Sequence, residues 1–322
     1  MPTTFSVGCA LRSYDACRMR LVDRLIATGL PAVPRPLVRH FADRYMAGET
    51  LDDAVAAVQR LNDLGAAATV DVLGEFVEDA GQAEATAAEY DRVLDAIASR
   101  GLDSTVSVKL SALGLEIDRD LAERYARGVV ERAAKHDIRV RIDMEHSGLT
   151  DETLRIFRTL REDGHENVGI VLQSYLRRTF TDVRDLAPLT PAVRLVKGIY
   201  IEPPEIAYTE PELVNRNFVE LLQELVRIGS RVAVASHDEA LVGEARRLAD
   251  ERGLSGDQLE FQLLLGVKED LRDRLIAAGY RVRIYVPYGE AWYGYSIRRL
   301  KENPSIAGYV ARDVIRGLAG RR

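Results

Sequence analysis

Two adjacent arginines near the carboxyl end of the chain are the residues best suited to bind an anion. Arg298 and Arg299 lie in a segment predicted as a helix, where residues three or four positions apart share one face. That face carries Tyr295, Arg298, Arg299 and Glu302. Guanidinium groups bind carboxylates and phosphates bidentately, so the face could clamp an anionic ligand. A solvated helix face with an Arg–Glu pair is the competing interpretation.

The segment before this helix predicts how the arginines are positioned. β-Branched and apolar residues over Val282–Val286 predict a short strand. Pro287, Tyr288 and Gly289 predict a turn, and Pro304 predicts the end of the helix. The arginines would therefore stand on a helix that issues directly from a strand.

Seven further apolar segments resemble this strand, and helix-length amphipathic segments separate most of them. The eight predicted strands are Ala67–Val72, Thr105–Leu110, Arg139–Met144, Val168–Leu172, Val193–Val196, Arg231–Ala235, Glu260–Leu264 and Val282–Val286. The predicted helices between them are Ala83–Ser99, Asp120–His136, Thr150–Arg161 and Glu239–Glu251. Strands that alternate with helices indicate βαβ units and a parallel sheet.

This arithmetic predicts an α/β fold, a (β/α)8 barrel of the TIM type with an N-terminal helical arm. We assign residues 1–64 to the arm, including a helix over residues 51–64, and residues 65–322 to the barrel. A doubly wound open sheet is the alternative. Neither a Gly-x-Gly-x-x-Gly segment after a strand nor a phosphate loop is present to support it.

Polar side chains recur where the predicted strands end, which is where a barrel builds its active site. They are Lys109, Ser111, Asp143, Glu145, His146, Gln173, Arg194, Lys197, Gly198, Tyr200, Ser236, His237, Asp238, Glu260, Gln262 and Tyr285. Each alone could be a structural residue. Their shared position at successive strand ends favours a functional site.

The chemistry open to this set is limited. His146 and His237 lie on separate strands, so a metal site is not predicted. Lys109 or Lys197 could form a Schiff base, as in a cofactor-free lyase of the aldolase type. The cations Lys109, Arg194, Lys197, Arg298 and Arg299 instead favour a large anionic ligand, such as a phosphorylated cofactor with an anionic substrate.

Composition excludes several classes of protein. The 322 residues are 47% hydrophobic and carry a formal net charge of −6, which gives no basic footprint for nucleic acid. Cys9 and Cys17 are interpreted as reduced thiols. The N-terminus lacks the apolar core of a signal peptide, and no uncharged apolar run could span a bilayer. We therefore expect a cytoplasmic protein.

Seven segments together resemble the proline dehydrogenase family, both its monofunctional bacterial form and the corresponding domain of the bifunctional proline utilisation protein. They occur in the family's order between about residue 66 and residue 304. The segments are SVKLSALG (107–114), RIDME (141–145), VLQSYLRRT (171–179), RLVKGIYIEP (194–203), ASHD (235–238), EFQLLLG (260–266) and YVPYGEAWYGYSIRRLKENP (285–304).

The resemblance implies a (β/α)8 barrel that binds FAD without covalent attachment. It implies oxidation of L-proline to Δ1-pyrroline-5-carboxylate by hydride transfer to flavin N5, with electrons passed to a quinone. A peripheral association with the inner face of the cytoplasmic membrane is reasonable for such an electron acceptor. This is the first step of proline catabolism.

The resemblance also implies roles for individual residues. Arg298 and Arg299 would bind the substrate carboxylate, and Lys109 would lie beside it. Glu302 would pair with the two arginines, and Asp143 would support the site. Tyr285, Tyr295 and Leu264 would enclose the proline ring. The residues implied to line FAD are Gln173, Arg194, Lys197, Gly198, Tyr200, Ser236, His237 and Gln262. No histidine is placed as the base, so we expect activity to rise toward alkaline pH.

Overall fold

The structure is a computed structural model that describes residues 39, 42, 44–74, 77–293, 295 and 296. Eight parallel strands form a closed barrel in chain order, and the last strand pairs with the first. The strands are β1 (Ala67–Val72), β2 (Ser104–Val108), β3 (Val140–Ile142), β4 (Val168–Gln173), β5 (Ala192–Val196), β6 (Arg231–Ala235), β7 (Leu259–Leu264) and β8 (Val282–Tyr288). The predicted (β/α)8 barrel is confirmed, and closure excludes the open sheet.

The helices described outside the barrel connect successive strands, except the first, which precedes β1. They are α1 (Leu51–Asp63), α2 (Ala80–Arg100), α3 (Arg119–Ala134), α4 (Thr150–Glu162), α5 (Thr179–Leu186), α6 (Pro211–Arg227), α7 (Glu239–Arg252) and α8 (Glu269–Ala277). Short 3₁₀ segments lie at Ser111–Leu113, Ser147–Leu149 and Ala187–Leu189. The sequence analysis did not predict α5, α6 or α8.

Helix α1 occupies a place in the outer ring beside β1 and β8. It begins with a capping box, in which Thr50 Oγ1 accepts from the Asp53 N–H at 3.2 Å and Asp53 Oδ2 accepts from the Thr50 N–H at 3.0 Å. This exchange satisfies backbone donors that have no partner inside the helix. Its buried residues, including Val55, Val58 and Leu61, belong to the core shared with the strands.

The predicted turn at Pro287 and Tyr288 is wrong. Both residues continue β8, opposite Asp71 and Val72 of β1. The chain departs from the strand only at Gly289, whose φ of +131° is rarely adopted by residues with a side chain. Pairing with β1 therefore overrides the local tendency of proline to end a strand.

Apolar and polar side chains alternate along several of the strands. In β2, Val106 and Val108 belong to the hydrophobic core, whereas Ser107 takes part in hydrogen bonds across the barrel. In β7, Phe261 lies in the core while Gln262 bonds to a side chain of β5. The apolar set faces the helices and the polar set fills the barrel. Buried polar groups must be partnered, so this interior is a hydrogen-bonded network rather than layers of aliphatic side chains.

The chain divides into two compact units. One is Met46–Gly289, which contains the barrel and α1. The described residues outside that range belong to the second unit, where the Arg39 guanidinium lies 4.9 Å from the centre of the Trp292 ring. The predicted division into an arm of residues 1–64 and a barrel of residues 65–322 stays a prediction, because most of the arm lies outside the described residues.

Candidate functional site

Lys109 lies just beyond β2, at the carboxyl end of the barrel, and is only 8% exposed. Its ammonium group donates to both carboxylate oxygens of Asp71, at 2.7 and 2.9 Å. Asp143 Oδ2 lies 3.8 Å from the same nitrogen, and the Tyr285 hydroxyl lies 3.4 Å from it. These side chains belong to, or directly follow, the neighbouring strands β8, β1, β2 and β3 of the closed barrel.

Asp143, which directly follows β3, connects this cluster to the interior of the barrel. Its Oδ2 accepts from the Tyr285 hydroxyl at 3.0 Å. Its Oδ1 accepts from Ser107 Oγ at 2.7 Å and from Arg194 Nη1 at 2.8 Å. A carboxylate with three donors is held in one orientation.

Burial has a different effect on Asp71, which is 1% exposed. The pKa of Asp71 is raised to about 6, chiefly by burial; Lys109 opposes the rise, and the negative charge of Asp143 adds to it. Loss of solvation therefore exceeds the stabilisation that the lysine provides.

Arg194, in the middle of β5, is 5% exposed and extends the network across the barrel. Its Nε donates to Gln262 Oε1 at 2.5 Å, and its guanidinium lies 5.3 Å from the centre of the Tyr285 ring. Gln262 Nε2 in turn donates to Glu260 Oε1 at 2.5 Å. These contacts fix the position of the buried guanidinium from two sides.

A second group of polar residues lies after β5 and β6. Lys197 Nζ donates to Asp238 Oδ2 at 2.7 Å, and Asn215 Nδ2 donates to the same oxygen at 3.1 Å. The hydrogen bond from Lys197 is the main cause that lowers the pKa of Asp238. Ser236 Oγ accepts from the Asp238 N–H at 3.2 Å, and Asp238 caps α7 by accepting from the Ala240 N–H at 3.0 Å.

Gly198 follows Lys197 with a φ of +109°. A Cβ atom at this position would overlap the ring of Tyr175. Both the backbone angle and the space therefore require glycine here. This requirement fixes the path of the loop that carries Lys197 and Tyr200, whose ring makes an edge contact with His146 at 6.3 Å between centroids.

Gln173 and His237 are each oriented by the backbone. Gln173, 2% exposed at the end of β4, donates from Nε2 to the carbonyl oxygens of Met144 and Glu145 at 3.2 and 3.3 Å. Its buried Oε1 has no hydrogen-bond partner among the described residues. His237 Nε2 accepts from the Leu264 N–H at 3.0 Å, which assigns the ring proton of neutral His237 to Nδ1.

The described residues therefore bring together one part of the predicted site and leave another part unplaced. Lys109, Asp143, Tyr285, Arg194 and Gln262 form one connected network. Tyr295 is buried in the second unit. Arg298, Arg299 and Glu302 lie outside the described residues. The individual roles of all the predicted site residues stay predictions.

The sequence analysis gave no role to two carboxylates at the site. Asp71 is a single charged residue in the otherwise apolar strand β1, and a buried charge in such a strand is the signal that could have identified it. Glu145, 1% exposed, accepts from the Ser111 N–H at 3.0 Å and from the Ser111 hydroxyl. It fixes the turn after β2 that follows Lys109.

Two further features bear on function. Within residues 44–74 and 77–293 and the few described residues that flank them, no three His, Cys, Asp or Glu side chains are grouped to hold a metal ion. None of the helices in the described part of the chain is long and apolar enough to cross a membrane.

Comparison with known proteins assigns the chain to a family. A sequence model of the family described as proline dehydrogenase matches residues 54–312. Proline dehydrogenase of Deinococcus radiodurans is 38% identical over 282 residues, covering 86% of this chain and 91% of that protein. Proline dehydrogenase 2 of Bacillus subtilis is 39% identical over 264 residues, covering 82% of this chain and 87% of that protein.

A solved structure shares the fold. The crystal structure of proline utilization A from Bdellovibrio bacteriovorus, inactivated by N-propargylglycine, superposes with a TM-score of 0.75 at 26% identity. The match covers 81% of this chain and 32% of that one. The chain therefore spans about a third of that longer protein.

Proposed function

This chain belongs to the proline dehydrogenase family, and from that premise we propose that it oxidises L-proline to Δ1-pyrroline-5-carboxylate. The reaction removes a hydride from the ring carbon next to nitrogen and a proton from that nitrogen, which leaves a C=N double bond. We further propose that FAD accepts the hydride and that a quinone then takes up the electrons. The observation that carries this proposal is the charged cluster around Lys109 at the carboxyl end of the barrel.

In this proposal, Lys109 binds the carboxylate of proline. A cation that must bind an anion has to remain protonated, and Asp71 at 2.7 Å and Asp143 at 3.8 Å both favour the ammonium form. The same two carboxylates disfavour the neutral amine that a Schiff base requires. The environment of Lys109 therefore supports carboxylate binding over the cofactor-free lyase.

The remaining described residues would orient the substrate. The Tyr285 hydroxyl donates to Asp143 at 3.0 Å, which holds the aromatic ring in one position against the barrel mouth. A fixed ring and a fixed cation restrict the pose of a small cyclic substrate, and such positioning lowers the barrier by several kcal/mol in favourable cases.

The described residues fit a flavin cofactor in their chemistry. Gln173 offers a buried amide oxygen that has no partner among the described residues, and a flavin ring N–H would satisfy it. Lys197, His237 and Arg194 supply donors for the oxygens of the ring and the phosphates. Bound FAD would supply the two-electron acceptor. Arg194, 5% exposed, would favour negative charge placed beside it.

The amine of proline must lose a proton for the reaction to proceed. Among the described residues, the cluster around Lys109 contains no histidine, and its carboxylates are committed to cations and hydroxyls. We therefore expect solvent to take the proton, so that kcat/KM for L-proline rises from neutral to alkaline pH as more of the substrate is deprotonated. A profile that is flat over this range would contradict the assignment.

The proposed function is tested by the anaerobic absorbance spectrum of the purified protein, recorded before and after addition of L-proline. Flavin bands that bleach with proline would support the cofactor, the substrate and the redox chemistry together. Flavin bands that persist would contradict proline as the substrate. A colourless protein that does not take up added FAD would contradict the flavin and favour the lysine lyase.

A further inference from the structure

The amino end of the barrel contains a small polar cavity, on the opposite side of the interior from Lys109. Its volume is about 30 Å³. It is lined by residues of all the strands from β2 to β8, and by residues that lie just before β3 and β4. The charged residues of the lining are Arg139, Arg141, Arg194, Arg231, Arg283, Glu166 and Glu260.

The charges of this lining do not balance. Five arginines face two glutamates, and Arg283 already forms an ion pair with Glu260 at 3.0 Å. Arg194 is paired with Asp143 at 2.8 Å, toward the other end of the barrel. Arg139, Arg231 and Glu166 are exposed at the mouth. Arg194 and Arg283 therefore each have a carboxylate partner, whereas the lining offers none to Arg141.

Arg141 is held by the backbone rather than by an acid. Its Nη1 donates to the carbonyl oxygens of Ile170 and Ala192 at 3.1 and 2.6 Å. No carboxylate lies within ion-pair distance of it in the described part of the chain. The N–H groups on its Nε and Nη2 have no hydrogen-bond partner among the described residues, and neither does Nη2 of Arg194 or of Arg283.

The backbone makes room for this guanidinium. A Cβ atom on Gly169 would lie 2.6 Å from Arg141 Nη1 and 2.7 Å from the carbonyl oxygen of Ala192. Any larger residue at position 169 would therefore displace Arg141 from the position in which it lines the cavity. The placement of the arginine depends on a specific glycine of the neighbouring strand.

The surroundings of Arg141 disfavour the positive charge of its guanidinium. Burial lowers the pKa of Arg141, the positive charges of Arg194 and Arg283 lower it further, and Glu260 opposes them only in part. Arginine nonetheless stays charged in proteins. An additional negative charge in the cavity would relieve this repulsion and satisfy the unpartnered N–H groups.

We propose that the amino end of the barrel binds one chloride ion, coordinated by Arg141 together with Arg194 and Arg283. The volume supports a small occupant, since about 10–15 Å³ holds one water-sized particle and the cavity offers about 30 Å³. The site lies at the opposite end of the barrel from Lys109 and shares Arg194 with the network there.

The first test is the thermal unfolding of the full chain in sodium chloride and in sodium gluconate of equal ionic strength. A ligand that binds only the folded state raises stability with the logarithm of its concentration above Kd. We expect chloride to raise the unfolding midpoint by about 3 °C relative to gluconate. Arg141→Met should abolish this difference.

Arg247→Met is the matched control. Arg247 is an exposed arginine of α7 that pairs with Glu244 and Glu251 on the outer surface. The chloride-specific rise should persist in this variant, because its arginine does not line the cavity. Equal midpoints in chloride and gluconate for the unmodified chain would overturn the proposal, and so would a rise that Arg141→Met retains.

A second test does not depend on the folding of a variant. Crystals of the unmodified chain soaked in sodium bromide should show an anomalous peak between the guanidinium groups of Arg141, Arg194 and Arg283. Bromide is chemically close to chloride and scatters anomalously. Absence of a peak at this position, with the cavity filled by water, would overturn the proposal.

Discussion

At the carboxyl end of the barrel, Lys109 lies 2.7 Å from Asp71, and a second carboxylate stands 3.8 Å away. At the amino end, Arg141 donates to two backbone carbonyls, and no acid lies within ion-pair distance among the described residues. The buried cations at the two ends of the barrel therefore have different surroundings. One end balances its cation with protein carboxylates, whereas the other leaves a positive excess that an external anion can neutralise.

The two ends also shift the pKa of their buried carboxylates in opposite directions. Burial raises the pKa of Asp71 to about 6 despite its lysine. Burial likewise acts to raise the pKa of Glu260, but the charge of Arg283 and its hydrogen bonds outweigh it, so the pKa of Glu260 is lowered. An acid surrounded by arginines remains charged, whereas one that shares its lysine with another acid is readily protonated.

We expect the largest effect on activity and stability from a substitution at the carboxyl end, where carboxylates balance the buried cation. Lys109→Met should lower kcat/KM for L-proline by roughly 10²–10³-fold, because a charged contact to the substrate is lost. It should also lower the free energy of unfolding by about 3 kcal/mol, because Asp71 loses its buried partner. Steady-state kinetics and urea titration measure the two effects. Lys135→Met, at an exposed position after α3, is the control and should change neither.

The pH dependence of stability should have opposite signs at the two ends. The pKa of Asp71 is about 6 in the folded protein. Between about pH 4 and 6, Asp71 is therefore protonated in the folded state and ionised in the unfolded state. Stability therefore falls as pH rises through this window, by about 3 kcal/mol relative to Asp71→Asn. The measurement is chemical denaturation of both proteins at a series of pH values.

Glu260 provides the opposite case for the same experiment. The pKa of Glu260 is lower in the folded state, so the unfolded state takes up the proton first on acidification. The stabilisation that Glu260 contributes is therefore present above the ordinary pKa of glutamate and is lost as pH falls. Relative to Glu260→Gln, the unmodified chain should lose stability on acidification. Slopes of equal sign for the two acids would contradict the electrostatic contrast between the ends.

A backbone change should have a smaller effect at the carboxyl end. Gly198→Ala should reduce the free energy of unfolding by about 2 kcal/mol, because it places a side chain at positive φ and against the ring of Tyr175. Gly243→Ala is the control, since this glycine of α7 has open space around it. The control should stabilise the protein by about 0.5–1 kcal/mol. Thermal or urea denaturation distinguishes the two.

The smallest effect is expected at the amino end when no halide is present. Arg141→Met in gluconate removes a buried charge that no carboxylate balances, so the free energy of unfolding should change by less than about 1 kcal/mol. A loss as large as that of Lys109→Met would show that Arg141 has a partner within the protein. Urea titration in gluconate makes the comparison directly.

The sequence predicted the barrel because its periodicity is strong. Eight apolar segments separated by amphipathic ones define strands and helices without any knowledge of contacts. Pro287 shows the limit of this reasoning, since its local signal indicates a turn while pairing with Asp71 keeps it in β8. Closure of the barrel decides such cases, and closure is not a local property.

The candidate site was predicted less completely than the fold. Lys109 and Asp143 stand where strands end, so their position alone identified them. Asp71 lies inside a strand, 38 residues from Lys109, and its role depends on which face of β1 points inward. The same ambiguity hides Arg141 and Arg283, because a charged residue near the start of a strand is usually solvated.

The place of α1 beside both β1 and β8 has a consequence for protein synthesis. Arg283 Nη1 donates to the Ala68 carbonyl oxygen at 2.6 Å across 215 residues of chain. At about 5–20 residues per second, a ribosome needs roughly 10–40 s to make the intervening chain. During this time one edge of β1, and the part of the apolar face of α1 that packs against β8, lack their partner. The nascent chain must therefore be protected from aggregation until its last strand emerges.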